Sequence, residues 1–216
     1  MKRSVAVLAL VCGFAVCLPL TEASARHAVG AADRPVTELA LKASQVGPGY
    51  RARMIPGGRK VQGQVTLDLC GAVYVSETLR TQRIQLVYGH RRSRLGLSNE
   101  VVRYYGTGAQ RALDELEYVA SHCPRKPIES PVLGVGALTW RLTRIRDPRL
   151  LPSSVAVQAR ISGTANGKRF VDLSILVYQV HGNVLSAVYT FGGTIAAQKR
   201  FGLRAAALSA ENLRTA

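Results

Sequence analysis

Asn166-Gly167 divides two alternating runs, and this arrangement constrains the fold more than any other stretch of the chain. Asn-Gly suits the positive φ angles of a two-residue hairpin turn better than other dipeptides. Before it, SSVAVQARIS sets Val155, Val157, Ala159 and Ile161 against Ala156, Gln158 and Arg160. After it, RFVDLSILVYQV sets Val171, Leu173, Ile175 and Val177 on one side. HGN then makes a second tight turn into VLSAVYTF. Period-two alternation across short turns predicts consecutive antiparallel strands.

The same reading extends in both directions. GALTWRLTRI predicts a strand with Leu138, Trp140 and Leu142 on one face, so Trp140 is expected in the core. TQRIQLVYGH, SNEVVRYY and YRARMI are read as strands, PGGRK as a turn, and SETLR from Ser76 as one helical turn. GQVTLDLCG is extended or partly irregular up to Cys70. Three segments are helical. The first begins near Val36, with Thr37 as a plausible cap, and ends at Gly47-Pro48-Gly49. TGAQRALDELEYVASHC repeats Ala109, Ala112, Leu113, Leu116, Val119 and Ala120 at steps of three and four, and Pro124 stops it. The last runs from about Thr194 to near Arg214, with Phe201, Leu203, Ala206, Leu208 and Leu213 as its apolar stripe. Hairpins dominate and no βαβ alternation occurs, so the expected class is α+β: a curved antiparallel sheet with helices packed on one face.

The N-terminus decides the compartment. Lys2 and Arg3 precede an uncharged run, Val5 to Leu20, and Ala23-Ser24-Ala25 offers small residues for cleavage. That three-part pattern is a secretory signal peptide over 1–25. A retained anchor is the alternative, but the 16-residue run falls short of the roughly 20 needed to span a bilayer. Lipid attachment at Cys12 or Cys17 would want a small residue before the cysteine, where Val11 and Val16 stand. Residues 26–35 then form a short mobile lead-in, and 36–216 the domain, with no transmembrane segment after cleavage. Cys12 and Cys17 leave with the signal, so the mature chain keeps Cys70 and Cys123. In an oxidising compartment such a pair favours a disulfide over two buried free thiols. Two cysteines with no CxxC or HxxxH spacing do not complete a metal site, and no cofactor is expected.

Removing Lys2, Arg3 and Glu22 lowers the formal charge from +16 to +15. Such a field attracts polyanions, and outside the cytoplasm these are wall polymers and anionic lipid headgroups before nucleic acid. A solvated basic surface would account for the same charge. GHRRSR, Gly89 to Arg94, and RLTRIRDPR, Arg141 to Arg149, are the densest basic runs. Neither has the aromatic interleaving or helical pattern of a nucleic-acid reader, so both are read as strand ends and loop tips.

A catalytic set is not found. His27, His90, His122 and His181 lie in lead-in, loop, helix-end and turn positions, away from any nucleophile motif. No GxSxG, HExxH, Walker or SxxK pattern occurs. GVGAL at Gly134 leads into a strand and is a turn rather than a phosphate cradle. Asp114, Glu115 and Glu117 fall on the outward side of their helix, and Asn99-Glu100, at the head of a strand, is the polar pair to watch.

The short helix ending VGPGY, LDLCG followed by SE and an Arg before a strand, SNEVVRY, SHCP, and the closing hairpins with an Ala-rich helix together resemble the PknH-like extracellular domain family, actinobacterial exported sensor-type domains, from about Val36 to the C-terminus. The resemblance implies an α+β fold, a cleft for an unidentified ligand, no enzyme active site, and a disulfide at the positions of Cys70 and Cys123. The kinase-linked version carries a second disulfide that the mature chain lacks. The function expected is a secreted or wall-associated, non-enzymatic sensor-like domain for an unknown ligand, with an anionic wall polymer or lipid headgroup as partner and no specific nucleic acid. The other readings are an exported hydrolase with a dispersed site, involving Asn99, Glu100 or a histidine, and a structural envelope protein that oligomerises.

Overall fold

In the computed structural model, residues 34–130 and 135–215 are described. The signal segment, the lead-in through residue 33 with His27, and the turn at Gly134 lie outside them. Seven strands form one antiparallel sheet: β1 (Tyr50–Met54), β2 (Arg80–His90), β3 (Ser93–Tyr104), β4 (Thr139–Arg144), β5 (Ser154–Ala165), β6 (Lys168–His181) and β7 (Val184–Phe191), in spatial order β1-β2-β3-β7-β6-β5-β4. The expected hairpins are present. Ala165 pairs with Lys168 across Asn166-Gly167, both at positive φ (49° and 75°), and His181 pairs with Val184 across Gly182-Asn183.

The helices occupy both faces rather than one. α4 (Ile195–Leu213), capped by the Thr194 hydroxyl, packs on β6 and β7, and two single helical turns, α1 (Val36–Leu39) and α2 (Ala43–Val46), join it on that face. α3 (Gly108–His122) and the 3-10 turns Leu69–Gly71 and Val75–Leu79 lie on the other. The cause is visible in β6 and β7. Ile175, Val177 and Val188 face α4, while Leu176, Tyr178, Leu185 and Ala187 join the core under α3. Strands covered on both faces read as continuous apolar runs, as ILVYQV does. At the sheet edges, Arg51 and Arg53 on β1 and Arg141 and Arg144 on β4 are exposed, placing charge where an uncovered edge would otherwise recruit another strand.

The first helix is split. Ala40 and Lys42 are extended (ψ 149°) because Leu41 is held from the sheet. Its N–H donates to Asn99 Oδ1 at 2.9 Å, and its carbonyl accepts from the Tyr88 hydroxyl. Asn99 Nδ2 donates onward to Ser186 Oγ and the Ala187 carbonyl, and Ser186 Oγ meets Ser209 Oγ of α4. One buried amide thus ties the entering chain to the sheet, and through Ser186 to α4. Asn99→Ala strands the Leu41 N–H in the core. A loss of about 1–3 kcal/mol is expected, with faster hydrogen exchange at Leu41. Unchanged exchange there would contradict this role.

The alternating VTLDLCG forms no strand. The Thr66 and Leu67 N–H groups donate to the Glu77 carboxylate at 3.0 and 3.2 Å, which replaces a ladder.

Candidate functional site

α3 buries Ala109, Ala112, Leu113 and Leu116 against the sheet. Its C-terminal end is fixed twice. Cys123 is joined to Cys70 with Cα atoms 5.7 Å apart, so the bridge pins the helix end to the 3-10 turn at Leu69–Gly71 rather than to the sheet. Arg144 of β4 donates to the Glu117 carbonyl at 3.1 Å and to Ser121 Oγ at 3.3 Å. These bonds tie β4 to the last two turns of α3. Beyond Pro124 the chain crosses back, and Ile128 bridges Leu138 at the start of β4.

These ties leave a groove of about 450 Å³ between the end of α3 and β4, lined by Ala120, Ser121, Cys123, Arg125, Trp140, Arg141 and Leu142. Trp140 and Leu142 are half-buried against the core under α3. The expected core role of Trp140 is therefore half the description, since one side of the indole is groove wall. Among the described residues its N–H, and the guanidiniums of Arg125 and Arg141, make no hydrogen bond or ion pair. Arg141 lies directly across from Arg160, both exposed, so two like charges sit at this edge.

A wider recess of about 800 Å³ is lined by Lys60, Gln62, Glu77, Thr78, Arg80 and Thr81 among others. Its Glu77 and Arg80 are already engaged. Glu77 accepts from Thr66 and Leu67 and pairs with Arg80 at 3.1 Å, and Arg80 donates to Thr66 Oγ1 and the Gln64 carbonyl. This recess is the back of a clamp on residues 64–67, which is why the α3–β4 groove is the stronger candidate.

Asn99 and Glu100 lie in the middle of β3, not at its head, and both are buried. Successive strand residues face opposite ways. Asn99 serves the α4 side. Glu100 pairs with Arg83 and accepts from Thr66 Oγ1 at 2.7 Å on the α3 side. Burial pushes the Glu100 and Glu77 carboxyls above the usual range. Neither Asn99 nor Glu100 lines the groove. His90 stands in the β2–β3 hairpin, His122 stacks on Tyr118 with centroids 4.2 Å apart, and His181 ends β6; the structure does not bring them together. Among the described residues no three His, Cys, Asp or Glu side chains are grouped to hold a metal, and no helix is long and apolar enough to cross a membrane. Arg125 was not singled out from the sequence. Its one signal is its place just after SHCP, where the chain must turn away from a fixed helix end.

No protein-family model matches the chain, and no curated protein matches it. Among solved structures it is similar to the extracellular domain of PknH from Mycobacterium tuberculosis, with a TM-score of 0.52 and 15% sequence identity, over 81% of this chain and 94% of that one. The fold expected from VGPGY, LDLCG and SHCP is the fold found. At this identity the likeness is one of fold.

Proposed function

We propose that the protein is an extracytoplasmic binding domain without catalytic chemistry of its own, taking its ligand in the groove between α3 and β4. The observation that carries this reading is that Trp140 and Arg125, whose indole N–H and guanidinium have no partner among the described residues, line one groove whose wall is held by a disulfide and by Arg144. An apolar wall with a few convergent polar groups is the usual make-up of a ligand site. The leader pattern over 1–25 supports export, and an exported chain suits the Cys70–Cys123 bridge. The ligand carries an anionic group, for which the formal charge of the chain and Arg125 argue. A wall polymer or an anionic lipid headgroup has that chemistry and is met outside the cytoplasm.

Retention on immobilised anionic wall polymer and anionic lipid, at low and at about 0.5 M salt, tests this reading. Retention at low salt that falls at high salt is expected, with Arg125→Ala weakening it about tenfold through loss of a charge-assisted hydrogen bond. Equal and negligible retention at both salts would end the anionic reading.

A further inference from the structure

The β1 edge of the sheet carries a second recess, six strand positions from β4 and so roughly 29 Å across the sheet. Its volume is about 350 Å³, and Gly49, Arg51, His90, Arg91 and Arg92 line it. No acidic residue does. Among the described residues the three guanidiniums make no hydrogen bond or ion pair. Several other arginines are engaged: Arg80 pairs with Glu77, Arg83 with the buried Glu100, Arg144 ties β4 to α3, and Arg149 pairs with Asp147. Three arginines without a partner among the described residues thus line one recess at this edge.

The recess is also built rather than loose. The Arg92 N–H donates to His90 Nδ1 at 3.0 Å and the Leu95 N–H to Ser93 Oγ at 3.0 Å, which fixes the turn bearing Arg91 and Arg92. Because Nδ1 accepts, the neutral imidazole carries its proton on Nε2. That nitrogen lies against Gly49, in the space a Cβ would fill, and Gly49 has a φ of +78°. Glycine is thus required there twice, by conformation and by the ring above it. The imidazole also packs on Tyr50, with centroids 5.3 Å apart. Arg51 is the next residue of β1, directly across from Gly89.

We propose that this recess is a phosphate-binding site, with Arg51, Arg91 and Arg92 as the charged donors and His90 Nε2–H as a neutral one. Planar guanidiniums match the oxygens of a phosphate in pairs, and several of them around one dianion relieve their mutual repulsion. The site is separate from the α3–β4 groove and stands whether or not that groove takes a ligand.

The test uses the oxidised chain and the Arg51→Gln/Arg91→Gln/Arg92→Gln variant. All three side chains are exposed, so the variant keeps the fold, checked by an unchanged thermal midpoint. Calorimetry with inorganic phosphate and glycerol phosphate, and co-sedimentation with phosphatidylglycerol against phosphatidylcholine vesicles, form the arms. Binding that weakens at least tenfold in the variant and at high salt is expected, without change in the emission of Trp140. Binding in the soluble arms identifies a phosphoester, and binding to phosphatidylglycerol vesicles alone identifies a lipid headgroup; either supports the site. Absence of binding in every arm, or equal binding by the variant, overturns it. The silent Trp140 separates this outcome from that of the groove.

Discussion

Replacing Cys70 and Cys123 with serine lowers the stability of the fold by about 4 kcal/mol, the chain-entropy value for a loop of this length. The two cysteines are 53 positions apart, and the loop they close contains β2, β3 and α3. For a domain of this size the loss corresponds to a fall in unfolding temperature of roughly 8–16 °C. The loss should not be uniform. α3 keeps its buried stripe of Ala109, Ala112, Leu113 and Leu116, whereas its last turn loses its anchor. Hydrogen exchange should therefore rise first over Val119 to Cys123. Since Cys123 also lines the groove, ligand binding there should weaken with it. Denaturant unfolding with and without reductant measures the effect, and coincident midpoints would contradict it.

Glu100→Ala is the other large effect, about 3–5 kcal/mol, because it leaves the buried Arg83 guanidinium without its counter-charge. Arg83 and Glu100 are 3% and 1% exposed. The cost spreads to the 55–67 segment, since Arg83 also donates to the Gly57 carbonyl and Glu100 accepts from Thr66. Replacing both charges with apolar residues of similar volume, Arg83→Met with Glu100→Leu, should cost less than Glu100→Ala alone, because neither charge is then left unpaired. Denaturant unfolding of the native chain and both variants checks it, and a double substitution that costs as much as Glu100→Ala would refute it.

Where local signals agreed with the tertiary environment, the fold was legible. Asn166-Gly167 marked its hairpin, the three-and-four spacing marked α3, and the paired cysteines marked the bridge. The failures share one cause, capture of a segment by residues distant in sequence. VTELALKASQV has helical periodicity, but Asn99 and Tyr88 take both backbone groups of Leu41 and break it into two turns. VTLDLCG, read as extended or partly irregular, stays out of the sheet because Glu77 takes its donors. The run ILVYQV already implied burial on both faces, so the second helical layer could have been inferred. Of the groove, Trp140 was visible as an apolar-face residue and Cys123 as half of a bridge. That Arg125 meets them follows only once β4 is the edge strand beside the end of α3.

Trp140 is the single tryptophan of the chain, so its emission reports on the groove alone. Titrating the oxidised chain with soluble fragments of anionic wall polymer should give a saturable change in that emission. The change should need about tenfold more ligand in Arg125→Ala and be unaltered in the variant lacking Arg51, Arg91 and Arg92. Emission that stays constant while the fragments bind, or that changes equally in Arg125→Ala, would contradict the groove as the binding site.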